Sequence, residues 1–312
     1  MKKFLIKVLV YIFCVGLLIT AINEWYKNNG TDSDNTRKFQ SVPENIQICN
    51  LGSSHGLYGF CYEDFEGQYT CFNFGMSQQR PSYDLKIFQN YRQALQEGAI
   101  VFIPISHFSL FGISDESYPG FESKNKRYYK ILPKEAVKNY HFDTALYTKY
   151  FPVLSAYEDI FRSAIPLREE ESKEWSSMSS YIDLEKNVLM ASERYIIAGQ
   201  LDENGGRIYN QEEINALYQI IELCKESNVR PILVTAPCLS EYTDAVRQIA
   251  PDFEKEFYGL LEEIVNRTGV EYYDYSYDER FAHHYELFMD GDHLNKDGAK
   301  KFVRILIQDI YE

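Results

Sequence analysis

The sequence has few cysteines, and no two of them have the spacing of a metal site. It contains six cysteines in 312 residues, with no Cys-x-x-Cys pattern. Cys14 lies in an N-terminal apolar run, and the remaining five are an odd number, which does not make a disulfide framework. Cys61 and Cys71 can pair if the compartment is oxidising, and buried free thiols are the alternative.

Positive charge is also scarce. The chain has 32 Lys and Arg residues against 46 Asp and Glu residues, a formal net charge of −14. Residues 1–22 hold three lysines and no acid, so the remainder carries −17. A domain this acidic is poorly suited to nucleic acid or other polyanions. Solubility alone is the other explanation of the charge.

The chain begins with a long apolar run. No charged residue occurs between Val8 and Ile22, and the run is about long enough to span a bilayer when counted from Phe4 with Lys7 snorkelling. Because the basic end should stay in the cytoplasm, the rest of the chain is expected outside. We expect residues 1–26 to be an uncleaved single-pass anchor in the cell membrane. A cleaved signal peptide is the alternative, although no good small-x-small cleavage site follows.

Beyond the anchor, the composition predicts a linker and one large domain. Residues 27–40 are polar and turn-rich, as in a tether. Residues 41–312 form the predicted domain, interrupted at about 107–205 by a region rich in Tyr, Phe, Ser and charge that we interpret as an inserted helical subdomain or lid. Predicted strands lie at 45–51, 69–74, 99–105, 231–237 and 270–275, and predicted helices at 81–96, 211–227, 251–268 and 297–311.

Strands that alternate with helices predict a parallel sheet covered by helices on both faces. Functional sites of such sheets lie at the carboxyl ends of the strands. Gly52-Ser53-Ser54 follows the first strand, and Asp290-x-x-His293 lies between the last strand and the last helix. A serine hydroxyl needs a base in order to attack, and an imidazole base needs a carboxylate to orient it. Asp290 is placed to reach the ring of His293, and Asp292 is the alternative carboxylate.

These two blocks, with His293-Leu294-Asn295-x-x-Gly298-Ala299, resemble the SGNH (GDSL-type) hydrolase superfamily. The first family block is Gly-Asp-Ser, and here Ser53 replaces the Asp. Gly-Ser-Ser is a known form in membrane-anchored members that modify cell-envelope polymers, such as the D-alanine transfer protein of teichoic acid synthesis and the alginate acetylation proteins. The resemblance covers about 40–108 and 210–312. It implies that Ser54 is the nucleophile, His293 the base and Asp290 the orienting carboxylate.

The resemblance also implies a fold and an oxyanion hole. The expected fold is a three-layer α/β/α SGNH hydrolase fold with a parallel, flavodoxin-like five-stranded sheet, to which the N-terminal transmembrane helix and the helical insertion are added. The N–H groups of Ser54 and Gly75 are the expected oxyanion donors. The family's Gly-x-Asn-Asp third block is absent, and Ser106 and His107 stand in its place after the third strand. Either residue could substitute for the side-chain oxyanion donor of that block.

The function implied by this resemblance is that of an extracytoplasmic serine acyltransferase, similar to an O-acetyltransferase. It would modify a cell-envelope or exported polysaccharide through an acyl-serine, beside a multi-spanning membrane acyltransferase as partner. The expected substrate is a glycan or acylated polymer, and neither a cofactor nor nucleic acid is expected. The alternatives are an esterase that deacylates glycans and a non-catalytic glycan-binding assembly protein.

Two further patterns around the last block have other interpretations. His283 and His284 cluster with Asp290, Asp292 and His293, but their spacing matches no standard metal site. Asp290-Gly-Asp292 begins like a calcium loop, yet the later ligand positions do not follow. His55, which follows the predicted nucleophile, is expected to be a packing or hydrogen-bonding residue rather than a second base.

Overall fold

The computed structural model describes residues 1–30, 32, 34–106, 108–113, 121–155, 204 and 207–311. The chain divides into two compact units. The first comprises Met1–Ser41 and Pro119–Glu170, and the second comprises Val42–Tyr118 and Glu171–Glu312. We call them the N-terminal unit and the sheet unit. The predicted boundaries of anchor, linker and insertion stay predictions.

The sheet unit is built on five parallel strands in the order β2-β1-β3-β4-β5. This is the flavodoxin-like order. After β2 the chain crosses to the other side of β1, where β3, β4 and β5 are added in turn. The predicted parallel, flavodoxin-like five-stranded sheet is confirmed. The strands are β1 (Ile46–Asn50), β2 (Cys71–Asn73), β3 (Leu95–Pro104), β4 (Arg230–Thr235) and β5 (Glu271–Asp274).

Ten α-helices are described, together with short 3₁₀ turns. They are α1 (Lys2–Asn29), α2 (Ser54–Gly59), α3 (Pro81–Tyr91), α4 (Phe121–Asn125), α5 (Tyr128–Ile131), α6 (Phe142–Ala145), α7 (Gln211–Glu226), α8 (Ser240–Ile249), α9 (Pro251–Thr268) and α10 (Lys296–Asp309). The helix predicted over 81–96 ends at Tyr91, because Leu95 already pairs with Ile46 as the first residue of β3.

The helices cover both faces of the sheet. Alternate residues of β3, Ile100 and Phe102, lie in one buried cluster with Phe302 and Leu306 of α10. Strand alternation turns the intervening β3 side chains to the opposite face. There α3 and α7 pack together, and Glu213 of α7 accepts hydrogen bonds from the N–H and hydroxyl of Ser82 at 2.7 and 3.0 Å. The predicted three-layer α/β/α architecture is thus confirmed.

Helix α10 begins at a close approach that only glycine permits. A Cβ on Gly298 would lie 2.1 Å from the carbonyl oxygen of Leu287. We expect Gly298→Ala to lower the free energy of unfolding by about 1–3 kcal/mol, because that backbone must move. Gly259 of α9 is the matched control: a Cβ there meets nothing within 4 Å, so alanine should stabilise by roughly 0.5–1 kcal/mol. Urea denaturation followed by circular dichroism measures both; equal effects would contradict the packing described here.

In the N-terminal unit, α1 is one continuous helix of 28 residues. Its most apolar window has a mean hydropathy of 2.6 and is not buried within the protein. This length and composition suit a membrane span, and a signal sequence has the same properties. The helix therefore fits a signal anchor or a signal peptide.

The insertion leaves and re-enters the sheet unit at adjacent points. Phe111 forms an antiparallel bridge with Tyr209, and the Gly112 N–H donates to the Ile208 carbonyl at 2.9 Å. Most of residues 156–206 lie outside the described part of the chain, so the lid stays a prediction. All six cysteines, Cys61 and Cys71 included, are free thiols.

Candidate active site

Ser54 lies at the carboxyl end of β1, as the first residue of α2. Gly52 makes the turn between them with φ of +106°, and a Cβ there would lie 3.1 Å from the ring of Pro104. The position requires glycine for both reasons. Ser53 caps α2, since its side chain accepts from the His55 N–H at 3.4 Å. After this tight turn, the next residue, Ser54, is half-buried at the carboxyl ends of the strands.

Two asparagines that sequence reasoning missed hold α2 in place. Asn50 and Asn73 end neighbouring strands and pair in register. The Asn73 amide donates to the carbonyls of Gly56, Leu57 and Phe60 at 3.0–3.1 Å. The Asn50 amide also donates to Gly56, at 2.9 Å. These bonds satisfy carbonyls that a short helix leaves without partners, and so fix the helix that carries Ser54.

Asp290 and His293 lie in a small loop before α10. The loop is closed by an antiparallel bridge between Phe288 and Leu294. Within it, Asp290 Oδ1 accepts from the backbone N–H groups of Asp292 at 3.1 Å and His293 at 2.9 Å. Those bonds fix the carboxylate against its own backbone. The spacing of three residues, read from the sequence, thus does bring the two side chains together.

The loop places His293 between a carboxylate and the serine. His293 Nε2 lies 2.8 Å from Ser54 Oγ, and His293 Nδ1 lies 2.9 Å from each carboxylate oxygen of Asp290. Serine, histidine and aspartate are therefore in contact in the order that nucleophilic catalysis requires. With Nδ1–H donated to Asp290, the free Nε2 can accept the serine proton.

Asp292, the alternative carboxylate, makes a different contribution. Its Oδ1 lies 3.3 Å from His293 Nδ1, farther than either oxygen of Asp290. Its Oδ2 lies 3.1 Å from His55 Nε2. A carboxylate only accepts hydrogen bonds, so His55 Nε2 carries the proton in this contact. Asp292 is 1% exposed, and its two oxygens lie against the two imidazoles, one against each.

His55 is a hydrogen-bonding residue, as the sequence suggested, and its partners are defined. Its Nδ1 is bonded to the Ser106 hydroxyl. With the proton on Nε2, a neutral His55 accepts this bond from Ser106. The rings of His55 and His293 lie 5.1 Å apart between centroids. His55 therefore supports Asp292 beside the serine–histidine pair.

Two of the residues expected in the oxyanion hole, Gly75 and Ser106, have other hydrogen-bond partners. The Gly75 N–H donates to Asn73 Oδ1 at 2.8 Å, and the Ser106 hydroxyl is in its bond to His55. An oxyanion would have to compete with these partners. The oxyanion roles of the Ser54 N–H, Gly75 and Ser106 stay predictions, and His107 lies outside the described residues.

One group among the described residues has the composition of a metal site. His55, Asp292 and His293 each offer one ligand atom, and these atoms all lie within 4.8 Å of one another. This differs from the cluster seen in the sequence: His283 instead contacts Ser240 at 3.1 Å, and His284 contacts Glu286 at 2.9 Å. Because His293 is also the predicted base, a metal ligated there would compete with proton transfer.

A buried carboxylate lies beneath the nucleophile turn. Asp84 Oδ1 accepts from the Gly52 N–H at 2.8 Å and from Gln79 at 2.6 Å. Burial raises the pKa of Asp84 from 3.8 to about 7, against the effect of these two bonds, and nearby Glu213 raises it further. No local pattern in the sequence indicates this role of Asp84, since its partner Gly52 is distant in the chain.

This raised pKa predicts a pH-dependent stability. As pH rises from 3.8 to about 7, unfolded Asp84 loses its proton while the native group keeps it. The native state then binds more protons, so the free energy of unfolding falls by about 1.4 kcal/mol per unit. Asp84→Asn removes this loss while keeping the Oδ1 acceptor. Denaturation at pH 4.5 and 8 should show a smaller fall in the variant; parallel pH curves would contradict the raised pKa.

Comparison with known proteins gives distant structural similarity. The chain is similar to a candidate acylhydrolase of Bacteroides fragilis, with 12% identity over 90% of this chain and 97% of that one and a TM-score of 0.40. A GDSL-like lipase of Bacteroides thetaiotaomicron has 12% identity over 88% and 96%, also with a TM-score of 0.40. A protein of Streptococcus pneumoniae, described as a candidate platelet activating factor, has 14% identity over 98% and 99%, at a TM-score of 0.40.

No protein-family model and no curated protein sequence matches the chain. Structural similarities of the degree found carry no argument about activity. We therefore infer the function from the geometry of Ser54, His293 and Asp290 and from the motifs that contain them.

Proposed function

We propose that this protein is a membrane-anchored serine acyltransferase that forms an acyl-enzyme on Ser54 and passes the acyl group to a cell-envelope or exported polysaccharide. The observation that carries the acyl-enzyme step is the contact of Ser54 Oγ with His293 Nε2 at 2.8 Å, with Asp290 on the other ring nitrogen. The motif resemblance and the apolar helix α1 support an envelope polymer as substrate and a multi-spanning membrane acyltransferase as partner.

The proposed reaction proceeds in two halves. Ser54 Oγ attacks the carbonyl carbon of an acyl ester and gives its proton to His293 Nε2. The ester C–O bond breaks, and His293 returns the proton to the leaving alkoxide. A sugar hydroxyl then attacks acyl-Ser54, His293 takes that hydroxyl's proton, and the proton returns to Ser54 as the new ester forms. Asp290 stabilises the imidazolium in both halves.

Two alternatives have specific observations in their favour. Ser54 is half-buried rather than enclosed, which leaves room for water as the acceptor, as in an esterase or deacetylase. Gly75 and Ser106 are hydrogen-bonded to other partners, which favours a glycan-binding assembly protein that catalyses no reaction. Both are outcomes of a single experiment.

The experiment uses the full chain in detergent with p-nitrophenyl acetate, with and without maltopentaose or chitopentaose. Mass spectrometry follows acetyl groups on Ser54 and on the sugars. Acetyl transfer to sugar, absent in Ser54→Ala, is the result we expect. Acetyl-Ser54 released only to water would replace transfer with an esterase function. Absence of acetylation at Ser54 would favour the binding protein.

A further inference from the structure

Part of the insertion is fixed to the end of α1. We call residues 121–155, all within the N-terminal unit, the platform. Asn23 of α1 is 1% exposed. Its amide donates to the Tyr150 carbonyl at 2.8 Å, and its side-chain oxygen accepts from the Val153 N–H at 3.3 Å. The backbone of the platform thus contacts α1 at one defined position, Asn23.

Asn23 directly follows the last residue of the apolar run. Nineteen residues, Phe4 to Ile22, precede Asn23, and at 1.5 Å per residue they span about 28 Å, close to the ~30 Å of a hydrocarbon core. When α1 crosses a bilayer, Asn23 therefore lies at its outer boundary. Trp25 follows two residues later and is partly exposed; tryptophan is enriched at this depth.

The platform exposes large apolar side chains close to Asn23. Phe142, Tyr147, Tyr150 and Leu154 are 67%, 46%, 45% and 51% exposed. The rings of Phe142 and Tyr150 lie 6.5 Å apart between centroids, and Tyr150 is itself the partner of Asn23. Aromatic side chains that carry a polar group on an apolar ring, as tyrosine does, suit the headgroup level of a membrane.

The platform also reverses the charge of the chain. It contains seven basic and three acidic residues, a net charge of +4, in a chain of formal net charge −14. Lys124, Lys126, Lys130 and Lys134 are exposed. A basic surface beside a membrane-spanning helix is attracted by anionic headgroups. The net negative charge of the whole chain gives no indication of this local positive charge.

We propose that the platform docks on the anionic lipid–water interface beside α1, with its aromatic side chains at headgroup level and its lysines against lipid phosphates. Because Asn23 is part of the folded unit, α1 stays attached as an anchor. This assignment goes beyond the proposed function and depends only on α1 spanning the bilayer.

The test places the full chain in nanodiscs made of equal amounts of phosphatidylcholine and phosphatidylglycerol. Tyr147→Cys, in a Cys14→Ala background, carries an environment-sensitive NBD label; the background protein without the new cysteine measures labelling of the native thiols. We expect a blue-shifted emission that is quenched by lipids spin-labelled near the headgroup. Tyr311→Cys, at an aromatic 64% exposed outside this unit, is the reference and should show less quenching.

A second variant tests the role of charge. Replacing Lys124, Lys126, Lys130 and Lys134 by Gln should reduce the quenching at position 147, and discs of phosphatidylcholine alone should do the same. Circular dichroism verifies that each variant is folded. Quenching at 147 no greater than at 311 would overturn the proposal and favour a protein partner on this surface. Quenching that is independent of lipid charge would overturn the role of the lysines.

Discussion

Ser54→Ala should lower the hydrolysis of p-nitrophenyl acetate by at least about 10⁴-fold. The hydroxyl of Ser54 is the group within 2.8 Å of His293 Nε2, and alanine removes the atom that would bond to the acyl carbon. The fold should be unaffected, because α2 is held by Asn50 and Asn73 through backbone carbonyls.

The neighbouring serine provides a matched control. Ser53 caps α2 through a long bond of 3.4 Å to the His55 N–H, so Ser53→Ala should cost about 1 kcal/mol of stability and leave the rate within about tenfold. Initial rates with equal amounts of folded protein measure both variants. If Ser53→Ala lost as much activity as Ser54→Ala, the assignment of the nucleophile would have to change.

His293→Ala should have an effect as large as that of Ser54→Ala, about 10⁴-fold or more, because members of a triad act as one unit. Without the imidazole, the proton of Ser54 has no acceptor and Asp290 has no ring to stabilise. Steady-state rates over a range of pH measure the loss.

His55 is the control for this prediction, since both histidines contact Asp292. The two nitrogens of His55 are bonded to Ser106 and Asp292, so it acts on the reaction through these two partners. We expect His55→Ala to lower the rate by less than about 10²-fold, in the range of an indirect effect. Equal losses in the two variants would make His55 a second base.

Much of the fold was predictable because its elements follow local patterns. Helix α9 has the predicted bounds, Pro251–Thr268, since a proline at its first position and a glycine after its end mark both limits. Helix α8 was missed. It begins at Ser240, and the preceding Leu239 provides no side-chain cap. Its start is instead fixed by backbone bonds to distant residues, from the N–H of Leu239 to Gly291 and from the N–H of Ser240 to Ala282.

The candidate site shows the same division. The contact between Asp290 and His293 follows from their spacing of three residues. The contact between His293 and Ser54 follows from the rule that functional residues gather at the carboxyl ends of parallel strands. The contact between His55 and Asp292 joins residues 237 positions apart, and nothing in either local sequence indicates it. Asn23 and Tyr150, 127 positions apart, became neighbours by the same kind of long-range packing.

The role of Ser54 as an activated nucleophile is tested most directly by labelling the full chain with a fluorophosphonate, followed by peptide mapping. A serine activated by an imidazole attacks the phosphorus and displaces fluoride, whereas an ordinary surface serine does not. We expect one phosphonylated residue, Ser54, with labelling lost in Ser54→Ala and in His293→Ala. Absence of labelling, or labelling that persists in Ser54→Ala, would contradict it.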